Sequence, residues 1–240
     1  EDYDEAFFGG DGLKRLQAWI DSNADSAPRV PEGSRIGPPT ARPSKIVCVG
    51  LNYSDHAKES SMEVPDEPVI FFKASSAFCG PEDNVINPRG GTKLDYEVEL
   101  AYVIGKKASY VLREDAMNHV AGFALFNDYS ERVFQLETSG QWVKGKSCDT
   151  FAPLGPELVT PDEIENYLDL KIWLKVNDEY RQNGSTSYMI FDVAYQIERL
   201  SSYMTLLPGD VISTGTPPGV GLGFDPPRYI KPGDVVEYGI

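Results

Sequence analysis

Three carboxylates, Asp95, Glu97 and Glu99, recur at every second position in the stretch LDYEVELAYVIGKK, which begins at Leu94. Side chains alternate across a β-strand, so residues i, i+2 and i+4 project from one face. Leu94, Tyr96, Val98 and Leu100 then form the opposite face, a run suited to burial. Like charges so close together repel one another, and some take up protons unless something cationic sits among them. Two readings are open at this point: a solvated edge face, or a face that grips a divalent metal.

Four other places carry polar groups able to do chemistry. NYSDHAKE (52–59) sets His56 and Glu59 three apart, on one face of a short helix if Ser54 or Asp55 caps it. An acidic partner of this kind orients and charge-stabilises an imidazole, which is how a general base is built. The other histidine, His119, lies in a helical pattern and reads as a surface or packing residue; two histidines exclude a three-histidine zinc site. FNDYSERVFQ (126–135) ends an apolar strand on Asp128, a turn or cap residue or a carboxylate that reaches a site. WVKGKSCDTFAPLGP (142–156) places Lys146 after a glycine, where a surface lysine is equally natural. STGTPPGVGLG (213–223) is a strand running into a glycine-rich loop with no GK[ST] behind it, so it is not a phosphate loop. Its backbone N–H groups and the hydroxyls of Thr214 and Thr216 could cradle an anion such as a carboxylate.

The elements that must position these groups are mostly strands. Strand patterns occur in KIVCVGL, PVIFFKA (68–74), the stretch 94–104, AGFALFND (121–128) and LDLKIWLKVN (168–177). LPGDVIST and KPGDVVEY each run from a Pro-Gly turn straight into a β-branched strand. Helical spacing appears in 11–24, with Leu13, Leu16, Trp19 and Ile20, in 113–121, and in 187–204 with Met189, Val193, Ile197 and Leu200. Strands and helices do not alternate regularly, which argues against a doubly wound sheet and for a mixed-sheet roll with a few covering helices. VPEGSRIGPPTARPSK reads as a connector, dividing a small N-terminal segment (1–43) from the main body (44–240).

Composition narrows the partners. The 240 residues carry 22 Lys and Arg against 37 Asp and Glu, a net charge of −15 with the basic residues scattered, which argues against nucleic acid. No apolar run reaches membrane-spanning length. Three scattered cysteines make neither a disulfide framework nor a CxxC zinc pair. With no secretory signal at the start, a reducing cytoplasm is the expectation; the absence of an initiator Met leaves room for residues upstream.

Taken in order, IVCVGLNYSDHAKE, VIFFKASSAFCGP, DYEVELAYVIGK, GFALFNDYSER, KGKSCDTFAPLGP and LPGDVISTGTPPGVG resemble the fumarylacetoacetate hydrolase family over roughly residues 44–240. Within it, the chain looks most like the branch of bacterial 2,4-diketo-3-deoxy sugar-acid hydrolases, with acylpyruvate hydrolases as relatives. The resemblance implies a mixed α/β, predominantly β fold, a twisted β-roll of mixed sheets, usually as a homodimer. It also implies Mg²⁺, with Mn²⁺ as a substitute, held by Glu97, Glu99 and Asp128, and leaves Asp95 outside the ligand set. By the same resemblance His56 and Glu59 form a lid pair, Lys146 is the active-site lysine, and Gln135 and Thr216 meet the substrate.

The reaction so implied is hydrolysis of the C3–C4 bond of a 2,4-dioxo acid to pyruvate and a carboxylic acid, in carbohydrate or aromatic catabolism. Rivals within the resemblance are a 2-oxo-acid decarboxylase acting on oxaloacetate, a keto–enol isomerase of the 2-hydroxyhepta-2,4-diene-1,7-dioate type, and a ureidoglycolate lyase. Outside enzymes, the alternative is an inactive metabolite-binding module, against which the intact His56–Glu59 pair argues. One departure stands out: many acylpyruvate-cleaving relatives carry an arginine just before the NY, where this chain has Leu51. A cation is thereby missing near the lid, which argues away from oxaloacetate and simple acylpyruvates. Ile240 falls within or just after a strand, so a final strand of the family is expected to be absent from this chain.

Overall fold

The computed structural model describes residues 2–55 and 65–240. Its centre is a five-stranded mixed sheet in the order β2-β1-β11-β5-β6. These strands are β1 (Ile46–Gly50), β2 (Val69–Lys73), β5 (Val98–Ile104), β6 (Val120–Asn127) and β11 (Val211–Ser213). β1 and β11 run parallel; every other pair in the sheet is antiparallel. β1 and β5 are buried along nearly their whole length, because both faces of the sheet are covered.

Alternation assigns the two faces. Ile46, Cys48, Ala101, Val103 and Val211 join one buried cluster, whereas Val47, Leu100, Tyr102, Ile104 and Ile212 join the other. Over the second face lies the helix Val193–Tyr203, which contributes Val193, Ile197 and Leu200. Against the first packs a three-stranded antiparallel sheet of β9 (Lys171–Val176), β10 (Glu179–Ser185) and β12 (Val236–Gly239), with β9 in the middle. Ile172, Leu174 and Val176 of β9 point into that cluster. The β9–β10 hairpin turns on Asn177 and Asp178, both at positive φ, as the right-handed twist of two strands requires. Phe7 and Phe8 of the N-terminal helices are buried in the same cluster, while Trp19 and Ile20 remain exposed.

The mixed α/β architecture with several sheets is as expected. Two helical expectations are corrected. Residues 113–119 form 3₁₀ turns, and β6 starts at Val120, where pairing with Ile104 overrides the helical pattern. The helix expected over 187–204 begins only at Val193, because the Asp192 carboxylate caps it by accepting from the Tyr195 N–H. Met189 lies outside that helix and bridges to Tyr53.

The carboxylate stretch is also different from a continuous strand. Leu94–Asp95 is a separate two-residue strand, β4, paired with Ser130–Glu131, β7, and β5 starts only at Val98. Tyr96 and Glu97 leave the ladder opposite Asp128 and Tyr129, which leave it on the paired strand. The gap is closed by the Asp128 N–H on the Glu97 carbonyl (2.8 Å) and the Glu97 N–H on Asn127 Oδ1 (3.0 Å). A break at the same level on both strands brings Glu97 and Asp128 together.

Candidate metal and catalytic site

Glu97, Glu99 and Asp128 each offer a carboxylate oxygen within 4.8 Å of the other two, and all three are buried. β5 carries Glu99, the break before it carries Glu97, and the end of β6 carries Asp128. Lys146 belongs to the one-turn helix Val143–Lys146, packed on the helix Arg132–Leu136. That packing needs Gly145, where a Cβ would stand 2.4 Å from the Glu131 carbonyl oxygen. Lys146 Nζ donates to Glu97 Oε2 (2.7 Å) and Asp128 Oδ2 (2.6 Å).

The remaining oxygens have partners that the motifs did not announce. Buried Lys73 donates from Nζ to Asp128 Oδ1 and to the Tyr129 carbonyl. Arg132 donates from Nη2 to Glu97 Oε1 (2.7 Å), from Nη1 to Gln135 Oε1 (2.9 Å) and from Nε to Asp95 Oδ2 (2.8 Å). Glu99 Oε2 accepts from the Ser213 hydroxyl and from the Gly215 N–H (3.0 Å). Gly215 sits at φ 99°, with its Cβ position 2.9 Å from Asn52 Cβ, so no side chain fits there.

Four acids, Asp95, Glu97, Glu99 and Asp128, thus meet three cations, Lys73, Arg132 and Lys146. The imbalance falls on Glu99. Burial and then the charges of Asp128 and Glu97 push its carboxyl well above the usual range. Burial also pushes Glu97 upward, but the charges of Lys146 and Arg132 outweigh it and hold Glu97 low. Lys146 feels the same two influences with their signs reversed. Burial pulls it down, yet Asp128 and Glu97 outweigh that pull and leave it raised, so Lys146 is cationic at neutral pH.

Above the carboxylates opens a cavity of about 430 Å³, whose lining includes Glu97, Glu99, Gln135, Lys146 and Thr216. Thr216 is fixed from behind. Its hydroxyl donates to the Val98 carbonyl (2.8 Å) and accepts from Gln182 Nε2 (2.7 Å). Gln182 is fully buried, accepts from the Val98 N–H (2.9 Å) and also donates to the Pro217 carbonyl (2.8 Å). His56 and Glu59 lie outside the described residues. The neighbouring backbone is anchored by Asn52, whose side chain binds the Thr214 and Phe191 carbonyls and the Phe191 N–H.

Residues 45–240 match the family model described as fumarylacetoacetate (FAA) hydrolase, C-terminal. The chain belongs to the fumarylacetoacetate hydrolase family. A Burkholderia multivorans protein is 50% identical over 230 residues, covering 95% of this chain and 80% of its own; its name calls it a hydrolase without claiming the activity as established. The solved fumarylacetoacetate hydrolase of Exiguobacterium antarcticum is 41% identical, with a TM-score of 0.82, covering 90% of this chain and 78% of that one. A maleylpyruvate hydrolase of Sphingobium, solved with manganese(II) and pyruvate, is 32% identical with a TM-score of 0.79 over 95% of this chain and 78% of that one.

For this family member, sequence reasoning missed Lys73, Arg132, Ser213 and Gln182. A signal existed for two of them. Lys73 closes the apolar run VIFFK in register with buried Phe71, and Arg132 stands three before Gln135, one helical turn away. Gln182 gave none, since it sits in a polar stretch whose pairing with Val98 depends on the fold.

Proposed function

We propose that the protein is a divalent-metal-dependent hydrolase that cleaves the C3–C4 bond of a 2,4-dioxo acid, giving pyruvate and a carboxylic acid. One observation carries this reading: three buried carboxylates converge, two of them, Glu97 and Glu99, lining a cavity, with a lysine ammonium bridging Glu97 and Asp128. An all-oxygen donor set suits a hard cation, Mg²⁺ first and Mn²⁺ as its substitute. The residues fit such an ion. Each carboxylate has about four acceptor positions, of which Glu97 and Asp128 use two apiece, while Glu99 accepts from Ser213 and Gly215 and forms no ion pair among the described residues. The manganese and pyruvate in the maleylpyruvate hydrolase neighbour support the same assignment.

A bound cation would supply a Lewis acid and a fixed positive charge for the 2-oxo-acid end of the substrate. Glu97, Glu99 and Asp128 would hold that cation in place, and Lys73 and Arg132 orient Asp128 and Glu97 through ion pairs. His56, oriented by Glu59, takes a proton from water, whose oxygen attacks C4. The C3–C4 pair of electrons passes toward C2, and Lys146 donates to the enolate oxygen that develops there. Protonation at C3 completes pyruvate, and the C4 fragment leaves as a carboxylic acid. A positioned base contributes on the order of 10²–10⁴ in rate. The enzyme works in this reading as a cytoplasmic homodimer.

A panel of 2,4-dioxo acids assayed for pyruvate with Mg²⁺, beside oxaloacetate assayed for CO₂, tests it. Glu97→Ala is expected to abolish both Mg²⁺ binding by calorimetry and pyruvate release. Wild-type Mg²⁺ binding in that variant would return the carboxylates to a structural role. A second reading has specific support: the solved 2-hydroxyhepta-2,4-diene-1,7-dioate isomerase of Mycobacterium marinum is 39% identical, with a TM-score of 0.72 over 82% of this chain and 70% of that one. Isomerisation uses the same enolate without attack by water, so substrate consumed with no pyruvate formed would select it.

A further inference from the structure

The cavity is polar only at its floor. Leu51, Phe71, Leu136, Trp142, Val220 and Leu222, drawn from separate parts of the chain, also line it. Leu136 and Leu222 stay 44% and 39% exposed, large apolar side chains left against solvent in a cavity that carries chemistry. Phe71 and Trp142 pack edge-to-face at 5.4 Å, with Lys146 Nζ 5.1 Å from the Phe71 ring centre. The apolar wall therefore starts directly beside the lysine.

Little among the described side chains there could receive a second charge or a row of hydroxyls. Among the described residues, the cations lining the cavity are Arg132 and Lys146. Every nitrogen of Arg132 already has a protein acceptor, and Lys146 is held by two carboxylates. The Thr216 hydroxyl donates its proton to Val98 and accepts from Gln182. Gln135 uses its Oε1 on Arg132, which leaves its amide nitrogen as the remaining donor.

Leu51 adds an independent observation. It has φ 55°, in the left-handed region that non-glycine residues seldom occupy. Its neighbour Asn52 holds that backbone through three hydrogen bonds to segments far away in sequence. A strained residue fixed from outside and lining a cavity marks a position whose side chain matters to the site.

We propose that the substrate's distal half is an extended apolar group, an alkyl or aryl chain beyond C4 larger than in the simple acylpyruvates that Leu51 argues against, and that Leu51 disfavours a carboxylate at that end. The proposal rests on the 2-oxo-acid reading of the site and names the substrate class within it. Polyhydroxylated and ω-carboxylated 2,4-dioxo acids are then poor substrates.

The test uses the full chain with Mg²⁺ and two series sharing the 2-oxo-acid head. In the first, acylpyruvates with acyl chains of two to eight carbons, benzoylpyruvate, an ω-carboxylated analogue and a polyhydroxylated one are assayed for pyruvate release. In the second, saturated 2-oxo acids of rising chain length, which cannot be cleaved, are measured by calorimetry for binding alone. Expected is a gain in kcat/KM and in affinity of up to about fourfold per methylene until the cavity is full. The ω-carboxylate is expected at least about tenfold below its apolar isostere, with Leu51→Arg narrowing or reversing that ratio. Leu222→Ser should lower the gain per methylene while sparing the shortest substrate. Preference for the polyhydroxylated or ω-carboxylated compound, or a flat binding series, overturns the proposal. So does an equal loss in Leu222→Ser at every chain length, which would mean that these side chains seat another part of the protein. Chain-length-dependent binding without pyruvate release from any compound keeps the apolar pocket and removes the hydrolase reading.

Discussion

Asp95 and Arg132 form a buried ion pair, Nε to Oδ2 at 2.8 Å, that joins the helix beside the carboxylate cluster to the glycine-rich loop. The same carboxylate accepts from the Gly221 N–H at 2.6 Å and the Leu222 N–H at 3.0 Å. Although alternation groups it with Glu97 and Glu99, Asp95 is therefore occupied by protein donors on both oxygens. It orients Arg132, which in turn holds Glu97.

Asp95→Ala leaves a guanidinium and two loop N–H groups without their acceptor, and should cost about 3–5 kcal/mol of stability in thermal or denaturant unfolding. Asp95→Asn keeps the volume and one acceptor, so it should lose roughly 1–3 kcal/mol and still bind Mg²⁺ by calorimetry. A well-folded Asp95→Asn that has lost Mg²⁺ would make Asp95 a ligand after all.

Lys146→Met removes the ammonium between Glu97 and Asp128 while keeping much of the apolar stem against Phe71. We expect kcat to fall by about 10²–10³, as for loss of one donor to a developing oxyanion. Metal affinity should hold or rise, since a competing cation has gone. Turnover at the wild-type level would place Lys146 among the residues that only balance charge.

Gln182 does not line the cavity and would act on it through Thr216, whose hydroxyl it meets at 2.7 Å. Gln182→Glu keeps the acceptor for the Val98 N–H but loses both donors, to Thr216 Oγ1 and to the Pro217 carbonyl. The expected result is a KM for the 2-oxo acid raised about tenfold with kcat changed little, from a loss of order 1 kcal/mol in a buried hydrogen bond. Thr216→Val should produce the same rise, and the double variant should be no worse than either single one. Additive effects, or a loss of stability with KM unmoved, would leave Gln182 as packing alone.

His56→Ala separates the two halves of the reaction. Solvent deuterium should still enter C3 of a bound 2-oxo acid, read by NMR, while hydrolysis of a 2,4-dioxo acid falls by about 10²–10⁴. Hydrolysis at the wild-type rate in this variant would show that His56 is not the base that activates water.

The sequence by itself determined the strand-forming runs, and its resemblance to a family pointed to Glu97, Glu99 and Asp128 as the acidic triad. IVCVG and VAGFALFN are apolar enough that only burial in a sheet satisfies them, and a carboxylate at every second residue is conspicuous against that background. Asp128 stood out for the same reason, as the first charge after an apolar strand. Tertiary structure alone decided which carboxylates converge. The paired break at Tyr96–Glu97 and Asp128–Tyr129 separates Asp95 from its neighbours, and alternation along one strand carries no information about where two strands leave a ladder together. The same holds for Lys73, Arg132 and Gln182. Lys73 reaches Asp128 across 55 positions, Arg132 reaches Glu97 across 35 and Gln182 reaches Val98 across 84, and local periodicity does not extend over such separations. A buried charge or amide is tolerated only where the fold delivers its partner, so its role becomes visible once that partner is in place.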